Sequence, residues 1–476
     1  MILKRFFLYL FFLIPIFFIA YNFYVNQGYW YDEWATLYSS NPFISNEIID
    51  LRIKGITDGT YSVQAQENVP KYYYLTLREF FNIFGFTAEN GRLFSLIFYF
   101  FNIVLLYLIS NFFLTKNNKF LFILLVFTNP FLIWMSNETR ADTFLIFFVL
   151  LNLISFLNCY KLKKNFFNLL ALYLSTLFML SVYPLTFSIF FSEIIFLLYL
   201  SIIYKKKFGL VLLILIFSFC CFIYFNQEYL FLRVTAMSEH YAVLNIKFFI
   251  SFFFNKFFGS VFFGIIFLLI ILFLILKNNK IIFKNKDTLF LTMIVFFTYS
   301  MVISSSIFVT PIVAPRYIIF VIPIILLWIV KNVEIYNKFY FKFFYILVFL
   351  SLSNLILTNH LSIIKKPPIS KALQIIKEQN YFYILSSIDN WNERYYGLYL
   401  STLKRVLSEE FKVVKLNDVK SNSINNFVYL CIYNPRFRSS SKILDDERKC
   451  RVDFTGYKLI KRDEINDFLI FFYKKI

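Results

Sequence analysis

The fold class follows from long apolar runs, and the clearest covers residues 257–276, which read FFGSVFFGIIFLLIILFLIL. This run has no charged residue, and its length matches the ~20 residues that a helix needs to cross the hydrocarbon core of a bilayer. Further apolar runs predict about eleven spans in all. They centre on residues 6–24, 93–114, 120–136, 143–159, 166–183, 186–204, 208–225, 289–309, 316–330 and 343–358. We therefore predict a mainly α, polytopic transmembrane helical bundle.

The composition agrees with a membrane protein. Hydrophobic residues make up 59% of the chain and charged residues 16%, whereas a soluble domain is roughly 25% charged. The net charge of +20 does not indicate nucleic-acid binding, because most basic residues lie in short loops rather than in one basic stripe. Lys4-Arg5 precede the first run, and no small-x-small cleavage pattern follows it, so we expect an uncleaved anchor.

The basic residues also predict the orientation of the spans. Alternate loops, from the N-terminus to residues 331–342, contain 17 lysines and arginines, and the opposite short loops contain 5. Cytoplasmic loops are the ones that collect basic residues. The N-terminus is therefore predicted in the cytoplasm and the C-terminus outside the cytoplasmic (inner) membrane.

This orientation places two long segments outside the membrane. The first is the loop 25–92, in which residues 71–81 form an amphipathic stretch that predicts a helix in the membrane interface. The second is the charge-rich tail, which alternates helix-like periodicity with short strand-like runs at 381–386 and 427–433. We predict a transmembrane catalytic domain over 1–360 and a small extracytoplasmic α/β domain over 361–476.

The five cysteines separate by location. Cys159, Cys220 and Cys221 lie in or beside spans and are interpreted as small apolar fillers. Cys431 and Cys450 both lie in the outer tail, where an oxidising compartment could join them in a disulfide. The spacing does not resemble a zinc site.

Asp32-Glu33 is the first candidate for chemistry, within YDEWATLY at 31–38. Two carboxylates among aromatic residues at a membrane edge are expensive to desolvate, which favours a functional role. A partly desolvated Asp32 could act as a general base. The alternative is a solvated loop that carries an acidic pair by chance.

A second candidate is the short outer turn between the third and fourth predicted spans. It follows Asn129-Pro130 and contains Glu138, Arg140 and Asp142. These residues could pair with each other and cap two helices. The functional alternative is that Arg140 faces a phosphate group and Glu138 positions it.

Further charged residues lie at the same predicted depth. Arg316-Tyr317 stands at the outer end of the tenth predicted span, where Arg316 either binds an anion or extends to the lipid headgroups. Arg92 opens the second span in a similar position. His240, in an outer loop, is either incidental or part of the same region. The basic residues that define the topology are mostly separate from these motifs, and the topology still assigns all of the candidates to the outer face.

Together these features resemble the membrane-embedded glycosyltransferases of the GT-C type. The resemblance covers roughly residues 1–360, and its nearest subgroup is the bacterial branch related to protein O-mannosyltransferases and to lipid A or polysaccharide-modifying transferases. The motifs that carry it are Asp32-Glu33, Val69-Pro70-Lys71 running through Phe84-Gly85-Phe86 to Gly91-Arg92, Asn129-Pro130-Phe131 leading to Glu138-Thr139-Arg140, and Arg316-Tyr317 followed by Pro323.

The resemblance implies transfer of a hexose or pentose from a polyprenyl-phosphate carrier to a lipid, glycan or protein acceptor at the outer face, with inversion. On that basis Asp32 would be the catalytic base, supported by Glu33. The residues implied in substrate binding are Arg140, Glu138, Arg316, Tyr317, Arg92, Lys71 and His240. Such a role belongs to biosynthesis of the cell envelope, including lipopolysaccharide.

No cofactor is expected to be obligatory, because the activated donor supplies the energy. A divalent metal is possible at oxygen ligands such as Asp32 and Glu138, with Glu33 and Asp142 nearby. The alternatives to a transferase are a polymerase or ligase for lipid-linked glycans, a flippase, and a structural membrane protein. A transporter usually has broken helices and polar residues near the midplane, and we expect these spans to be apolar inside.

Overall fold

The computed structural model describes most of the chain, and its contacts divide it into two compact units. The first comprises Met1–Ala20, Asn46–Thr76 and Arg92–Ile363, and the second comprises Tyr21–Ser45, Leu77–Gly91 and Ile364–Ile476. The described residues are 13, 15–21, 31–54, 56–57, 60–61, 71–162, 165–205, 208–236, 258–308, 315–336, 341–357, 369–386, 412–414, 419, 424–432, 450, 453–465 and 468–476.

Helices form most of the described structure. In chain order they are α1 (Tyr31–Ser39), α2 (Asn46–Ile53), α3 (Lys71–Phe84), α4 (Ala88–Phe113), α5 (Lys116–Phe127), α6 (Pro130–Ser136), α7 (Asp142–Leu157), α8 (Phe166–Val182), α9 (Phe187–Tyr204), α10 (Gly209–Ala236), α11 (Val261–Lys284), α12 (Lys286–Phe308), α13 (Val321–Tyr336), α14 (Phe341–Leu357) and α15 (Ile369–Glu378). The interfacial helix predicted from Lys71 is confirmed as α3.

The helices α4 to α14 coincide with the predicted apolar runs from residue 93 to residue 358. Among the described residues, five helices are long and apolar enough to cross a membrane, or six if the bent pair α5–α6 counts as one span. Three more apolar helices are shorter. The mainly α membrane fold is thus confirmed, while the count of eleven spans stays a prediction.

The span expected at 120–136 is not one straight helix, because α5 and α6 meet at an angle of 60°. Pro130 lacks an N–H, and it occupies the first position of α6, where that donor is not needed. The Asn129 side chain accepts hydrogen bonds from the backbone N–H groups of Phe131 and Leu132, both at 3.1 Å. On the other side of the bend, the Thr128 hydroxyl donates to Leu124 O at 2.9 Å. These side chains satisfy backbone groups that the break would otherwise leave unbonded.

Two lysines cap the C-terminal end of α4. Lys161 Nζ donates to Phe112 O at 2.9 Å, and Lys331 Nζ donates to Phe113 O at 2.6 Å. The last carbonyls of a helix have no partner within it and carry a partial negative charge, so cations stabilise them. Lys161 belongs to a π-helical turn, Asn158–Leu162, that extends α7, and its ammonium also pairs with Asp287 at 2.7 Å.

The next helix, α5, is capped by a residue from α13. Thr115 stands at the N-cap position, but its own hydroxyl makes no capping bond. Instead the Glu334 carboxylate accepts from Thr115 N at 2.7 Å and from Asn118 Nδ2 at 3.0 Å. An anion at a helix N-terminus is favourable for the same electrostatic reason. The loops that the sequence predicts on the lysine-rich side thus meet at one end of the bundle.

The spans are not apolar throughout, and this expectation was wrong. Glu193 lies in the middle of α9 with 0% of its surface exposed. Asn152 of α7 and Thr176 of α8 are equally buried, and the Asn152 amide donates to the Thr176 hydroxyl at 2.9 Å. The run 186–204 is hydrophobic enough on average to hide one carboxyl group.

The second unit contains a five-stranded sheet in the order β4-β3-β5-β7-β6. β3 is parallel to β4 and β5, whereas β7 is antiparallel to β5 and β6. A short hairpin of β1 (Ile56–Thr57) and β2 (Thr60–Tyr61) belongs to the first unit. The sheet strands are β3 (Tyr383–Ser386), β4 (Lys412–Val413), β5 (Asn426–Ile432), β6 (Tyr457–Ile465) and β7 (Phe468–Lys475). The predicted strands at 381–386 and 427–433 are confirmed.

One face of the sheet packs a core of aromatic rings. Phe427 stacks on Tyr473 with ring centroids 5.2 Å apart, and Phe454 contacts both rings. Burial, with a smaller contribution from Asp453, raises the pKa of Tyr473 to about 12. Cys431 on β5 forms a disulfide with Cys450 in this core, with their Cα atoms 5.7 Å apart.

The disulfide is expected to stabilise the sheet. Cys450→Ala should lower the free energy of unfolding of the second unit by about 3 kcal/mol, because the bond closes a loop of moderate length in the unfolded chain. The measurement is the denaturant dependence of proteolysis in the full-length protein. Cys220→Ala, which removes an exposed free cysteine, is the control and should leave the transition unchanged. Equal transitions in both variants would contradict the prediction.

The Glu334 contacts generate a second stability prediction. Glu334→Gln keeps the side-chain shape but removes the charge that binds the α5 N-terminus, and should cost about 1.5–3 kcal/mol, the usual contribution of a hydrogen bond to a charged group. Thermal unfolding of the detergent-solubilised protein measures it. Glu79→Gln is the matched control, because the exposed Glu79 carboxylate accepts only from Asn82 Nδ2 among the contacts of its helix, at 3.1 Å.

Candidate functional site

A buried polar turn joins α6 to α7 in the first unit. Glu138 is 2% exposed and Thr139 is 0% exposed. The Ser95 hydroxyl, from α4, donates to Glu138 O at 2.6 Å and contacts Arg140 O at 3.4 Å. Within the turn, Arg140 N donates to Glu138 O at 2.8 Å. Ser95 therefore holds the backbone of the turn that carries two of the predicted site residues.

Arg140 lies beside the carboxylate that begins α7. Its Nε is 3.8 Å from Asp142 Oδ2, and the two side chains are 15% and 11% exposed. This distance is an ion pair and exceeds the length of a hydrogen bond. Asp142 also occupies the first turn of α7, where negative charge is favourable. The interpretation that these residues pair and cap a helix is thus part of the answer, and a pair of this length does not fully engage the guanidinium.

Arg92 stands one turn before Ser95 on α4 and is 3% exposed. A buried arginine requires polar partners, and Arg92, Glu138 and Arg140 all have polar interactions within the protein. The four charged side chains Arg92, Glu138, Arg140 and Asp142 sum to zero net charge. They form a polar region at the end of the bundle opposite the lysine-rich end.

The first part of α3 also belongs to this unit. Tyr73 packs between α4 and α7, with its ring 6.2 Å from Phe94 and 5.6 Å from Phe144. Lys71, at the start of α3, is 46% exposed and lies 3.7 Å from Asp50 Oδ1. Burial raises the pKa of the Tyr72 phenol, so this ring stays a neutral hydrogen-bond donor.

An open cavity of about 300 Å³ lies beside Lys71. Its lining comes from α2 and α3, and Asp50 connects the two helices by pairing with Lys71 and, at 2.9 Å, with Lys54. The lining residues are Asn46, Glu47, Ile49, Asp50, Lys71 and Leu75. The sequence analysis did not single out Asp50, whose signal would have been its i,i+4 spacing from Lys54.

The second unit contains the acidic pair. Asp32 and Glu33 lie in the first turn of α1; Glu33 is 0% exposed, and the Asp32 side chain lies outside the described residues. Behind α1, Arg78 of α3 donates to Pro42 O at 3.1 Å and to Ile44 O at 2.6 Å. Arg78 thus anchors the chain that leaves α1, a role that the sequence analysis missed.

The end of α3 is built to turn sharply. Gly85 has φ +93, a left-handed conformation that favours glycine, and its N–H donates to Phe81 O at 2.9 Å. Asn90 Nδ2 then donates to Phe84 O at 2.7 Å and to Gly85 O at 2.9 Å. This turn gives the Phe84-Gly85-Phe86 motif a physical reason.

The remaining predicted residues are only partly described. Tyr317, in the 3₁₀ turn Pro315–Ile318, is 6% exposed, and its ring centroid is 5.6 Å from that of Tyr183. Tyr183 belongs to the turn between α8 and α9, which the sequence assigns to the same side of the membrane. The Arg316 side chain and His240 lie outside the described residues.

The structure therefore brings together Arg92, Glu138, Arg140 and Asp142, and it places Lys71 on the helix that packs beside α4. Asp32 and Glu33 belong to the other compact unit, so a single site that combines all of these residues stays a prediction. No group of three or more His, Cys, Asp or Glu in the described part of the chain could hold a metal ion. The predicted metal ligands Asp32 and Glu138 are divided between the two units.

The sequence matches no protein-family model and no curated protein. Solved structures do match. ArnT from Cupriavidus metallidurans in the apo state aligns with 98% of this chain and 98% of its own, at 10% identity and a TM-score of 0.58. The same protein bound to undecaprenyl phosphate aligns with 98% of this chain and 97% of its own, at 10% identity and a TM-score of 0.52.

A third match is weaker. The Archaeoglobus fulgidus oligosaccharyltransferase in complex with Zn and sulfate aligns with 87% of this chain and 67% of its own, at 11% identity and a TM-score of 0.48. At these identities a likeness shows the fold alone. The chain has the ArnT-like membrane fold of a GT-C type glycosyltransferase, and the resemblance seen in its motifs is confirmed at that level.

Proposed function

We propose that this chain transfers a sugar from a polyprenyl-phosphate donor to an acceptor hydroxyl at the outer face of the cytoplasmic membrane, with inversion of the anomeric centre. The observation that carries the proposal is the full-length likeness to ArnT, which one structure shows bound to undecaprenyl phosphate. The sugar is a hexose or pentose, and the acceptor is a lipid, glycan or protein of the cell envelope.

In the proposed reaction, the acceptor oxygen attacks the anomeric carbon while the bond from that carbon to the phosphate oxygen breaks. The acceptor proton passes to a base, and the bonding electron pair leaves with the lipid phosphate. Asp32 is the proposed base, and the buried Glu33 beside it holds or binds it. A carboxylate is suited to this role where burial makes its charged form less stable and therefore more basic.

The leaving phosphate gains negative charge, so cations placed in advance lower the barrier. Arg140 is the leading candidate, because its 3.8 Å contact with Asp142 can be exchanged for a bidentate contact with phosphate. Ser95 and Glu138 hold the turn that aims it. Arg316, Tyr317, Arg92, Lys71 and His240 are proposed to complete donor and acceptor binding. A divalent metal would need ligands from both compact units, so we propose no step that depends on one.

The base assignment has a direct test. Asp32→Asn should reduce transfer by roughly 100-fold or more, the usual contribution of a general base, with little change in donor binding. The assay follows consumption of polyprenyl-phosphate sugar by membranes that contain the protein. Asp463→Asn is the matched control, because Asp463 lies on β6 and pairs with Lys461. Full activity of Asp32→Asn would remove the base assignment, whereas an inactive wild-type protein would contradict the function itself.

The phosphate assignment makes a different kinetic prediction. Arg140→Gln should reduce kcat/KM by roughly 10- to 100-fold, because it removes charge-assisted hydrogen bonds worth about 1.5–3 kcal/mol. Arg140→Lys should recover part of the loss by restoring the charge without the bidentate fork. Arg462→Gln, on β6 beside Glu464, is the matched control. Unchanged transfer after neutralising both Arg140 and Arg316 would contradict the assignment.

A flippase for lipid-linked sugars is the second candidate. The 60° break between α5 and α6 and the buried Glu193 are features that transporters often have. Reconstituted vesicles distinguish the two functions. A transferase consumes donor only when an acceptor is present on the same side, whereas a flippase moves intact donor across the bilayer without breaking the sugar–phosphate bond.

A further inference from the structure

Glu193 is a carboxyl group inside the bundle that the proposed reaction does not use. It lies six residues after the start of α9, roughly 9 Å along the helix axis. The side chain is 0% exposed, and neither carboxylate oxygen has a hydrogen-bond partner of normal geometry. Ionisable residues inside membrane proteins are costly to bury, so each one calls for a functional explanation.

The polar neighbour of this carboxyl is Asn152 on α7. The Asn152 amide interacts with the Glu193 carboxyl, and it also donates to the Thr176 hydroxyl of α8 at 2.9 Å. That hydroxyl in turn donates to Leu172 O at 2.7 Å. Asn152 Oδ1 is buried and has no hydrogen-bond partner. An unsatisfied acceptor therefore lies beside an unsatisfied carboxyl group.

Aromatic rings close this region on the side toward the lysine-rich end. One turn beyond Asn152 and Glu193, Phe156 and Phe196 both pack on Phe290 of α12, with centroids 5.0 and 4.8 Å away. The polar side chains of α9 and α12 near this level bond to one another and to backbone, as Ser188 and Thr298 do at 2.9 Å. The network thus ends at Glu193.

No cation in the described part of the four helices around Glu193 lies at its level. Their charged residues stand at the helix ends, and Lys161 is roughly 13 Å along the axis from Asn152 and is already paired with Asp287. The charged side chains are Asp142, Lys161, Lys286 and Asp287, and the other titratable ones, ordinarily neutral, are Cys159, Tyr160, Tyr173, Tyr199, Tyr204, Cys220, Cys221, Tyr224 and Tyr299. An unpaired carboxylate in such a place would carry the full desolvation penalty of a buried charge.

We propose that Glu193 is a proton-binding site within the membrane, where it is held as the neutral acid against Asn152. One proton satisfies both unbonded groups: the acid O–H donates to Asn152 Oδ1, and the second Asn152 N–H donates to the acid carbonyl oxygen. The three helices α7, α8 and α9 are then joined by neutral hydrogen bonds. The arrangement stabilises α7, which starts at the turn that carries Arg140.

A membrane-soluble carbodiimide tests the proposal, because it reacts with protonated carboxyls in apolar surroundings. The acid proton moves to a carbodiimide nitrogen and the carboxyl oxygen bonds to the central carbon. The acyl group then migrates to nitrogen, so the stable product contains the whole reagent. Peptide mass mapping of the full-length protein in native membranes should find this adduct at Glu193 near neutral pH, with loss of labelling as the pH rises.

The controls are built into the chain. Asp142 and Asp287 are carboxylates paired with Arg140 and Lys161 and should not take the label, and a water-soluble carbodiimide should label the exposed Glu79 rather than Glu193. Glu193→Gln, a neutral isostere, should lose the adduct and keep sugar transfer. Absence of the adduct in wild-type membranes would overturn the proposal.

Infrared spectroscopy decides the same question even if Glu193→Gln folds poorly. The wild-type protein should show the C=O stretching band of a protonated carboxyl that shifts after labelling with the membrane-soluble reagent. A carboxylate band in its place would show that Glu193 carries a charge, and would overturn the proposal. Because neither readout measures transfer, both are independent of the proposed function.

Discussion

A bilayer offers no water to the backbone, so each N–H and C=O at a helix end must be bonded by another part of the protein. This protein meets the requirement mainly with side chains from other helices. Lys161 and Lys331 bond the last carbonyls of α4, and Glu334 bonds the first amide of α5. The connections between helices are therefore also the points at which the bundle is held together.

The same constraint shapes the end of the bundle that carries the candidate site. Ser95 binds the carbonyl of Glu138, and Asn129 caps α6 where Pro130 breaks the span. The turn that presents Arg140 is thus fixed by hydrogen bonds from two sides, with little exposed surface. A rigid turn of this kind suits a cation that must wait for developing charge, since preorganisation avoids rearrangement during the reaction.

Charge is separated strongly between the ends of the bundle and its interior. Ion pairs such as Lys161–Asp287 and Arg140–Asp142 lie at the ends, where partial solvent access and helix termini stabilise them. Glu193 is the exception, because it is buried among apolar helices with only amide and hydroxyl groups near it. A neutral acid resolves this exception with the donors and acceptors that are present.

The amino-acid sequence by itself determined the membrane class, the predicted orientation and the positions of most helices. Apolar runs of spanning length have few alternatives in a bilayer, and lysines report the side of each loop. The sequence also identified Glu138 and Arg140 as neighbours, because they share one short turn. It could not show that Ser95 binds that turn or that Arg78 anchors the chain after α1, because these contacts join residues 34 to 45 positions apart.

Only the tertiary structure decided where the polar groups inside the bundle find partners. The break at Asn129-Pro130 was visible as a motif, yet its 60° angle depends on side chains that satisfy the freed backbone. Glu193 was visible as a letter, but a hydrophobic average conceals a single carboxyl. Its burial beside Asn152 follows from the packing of α7 against α9, which no local pattern encodes, because helix packing is set by side chains far apart in the chain.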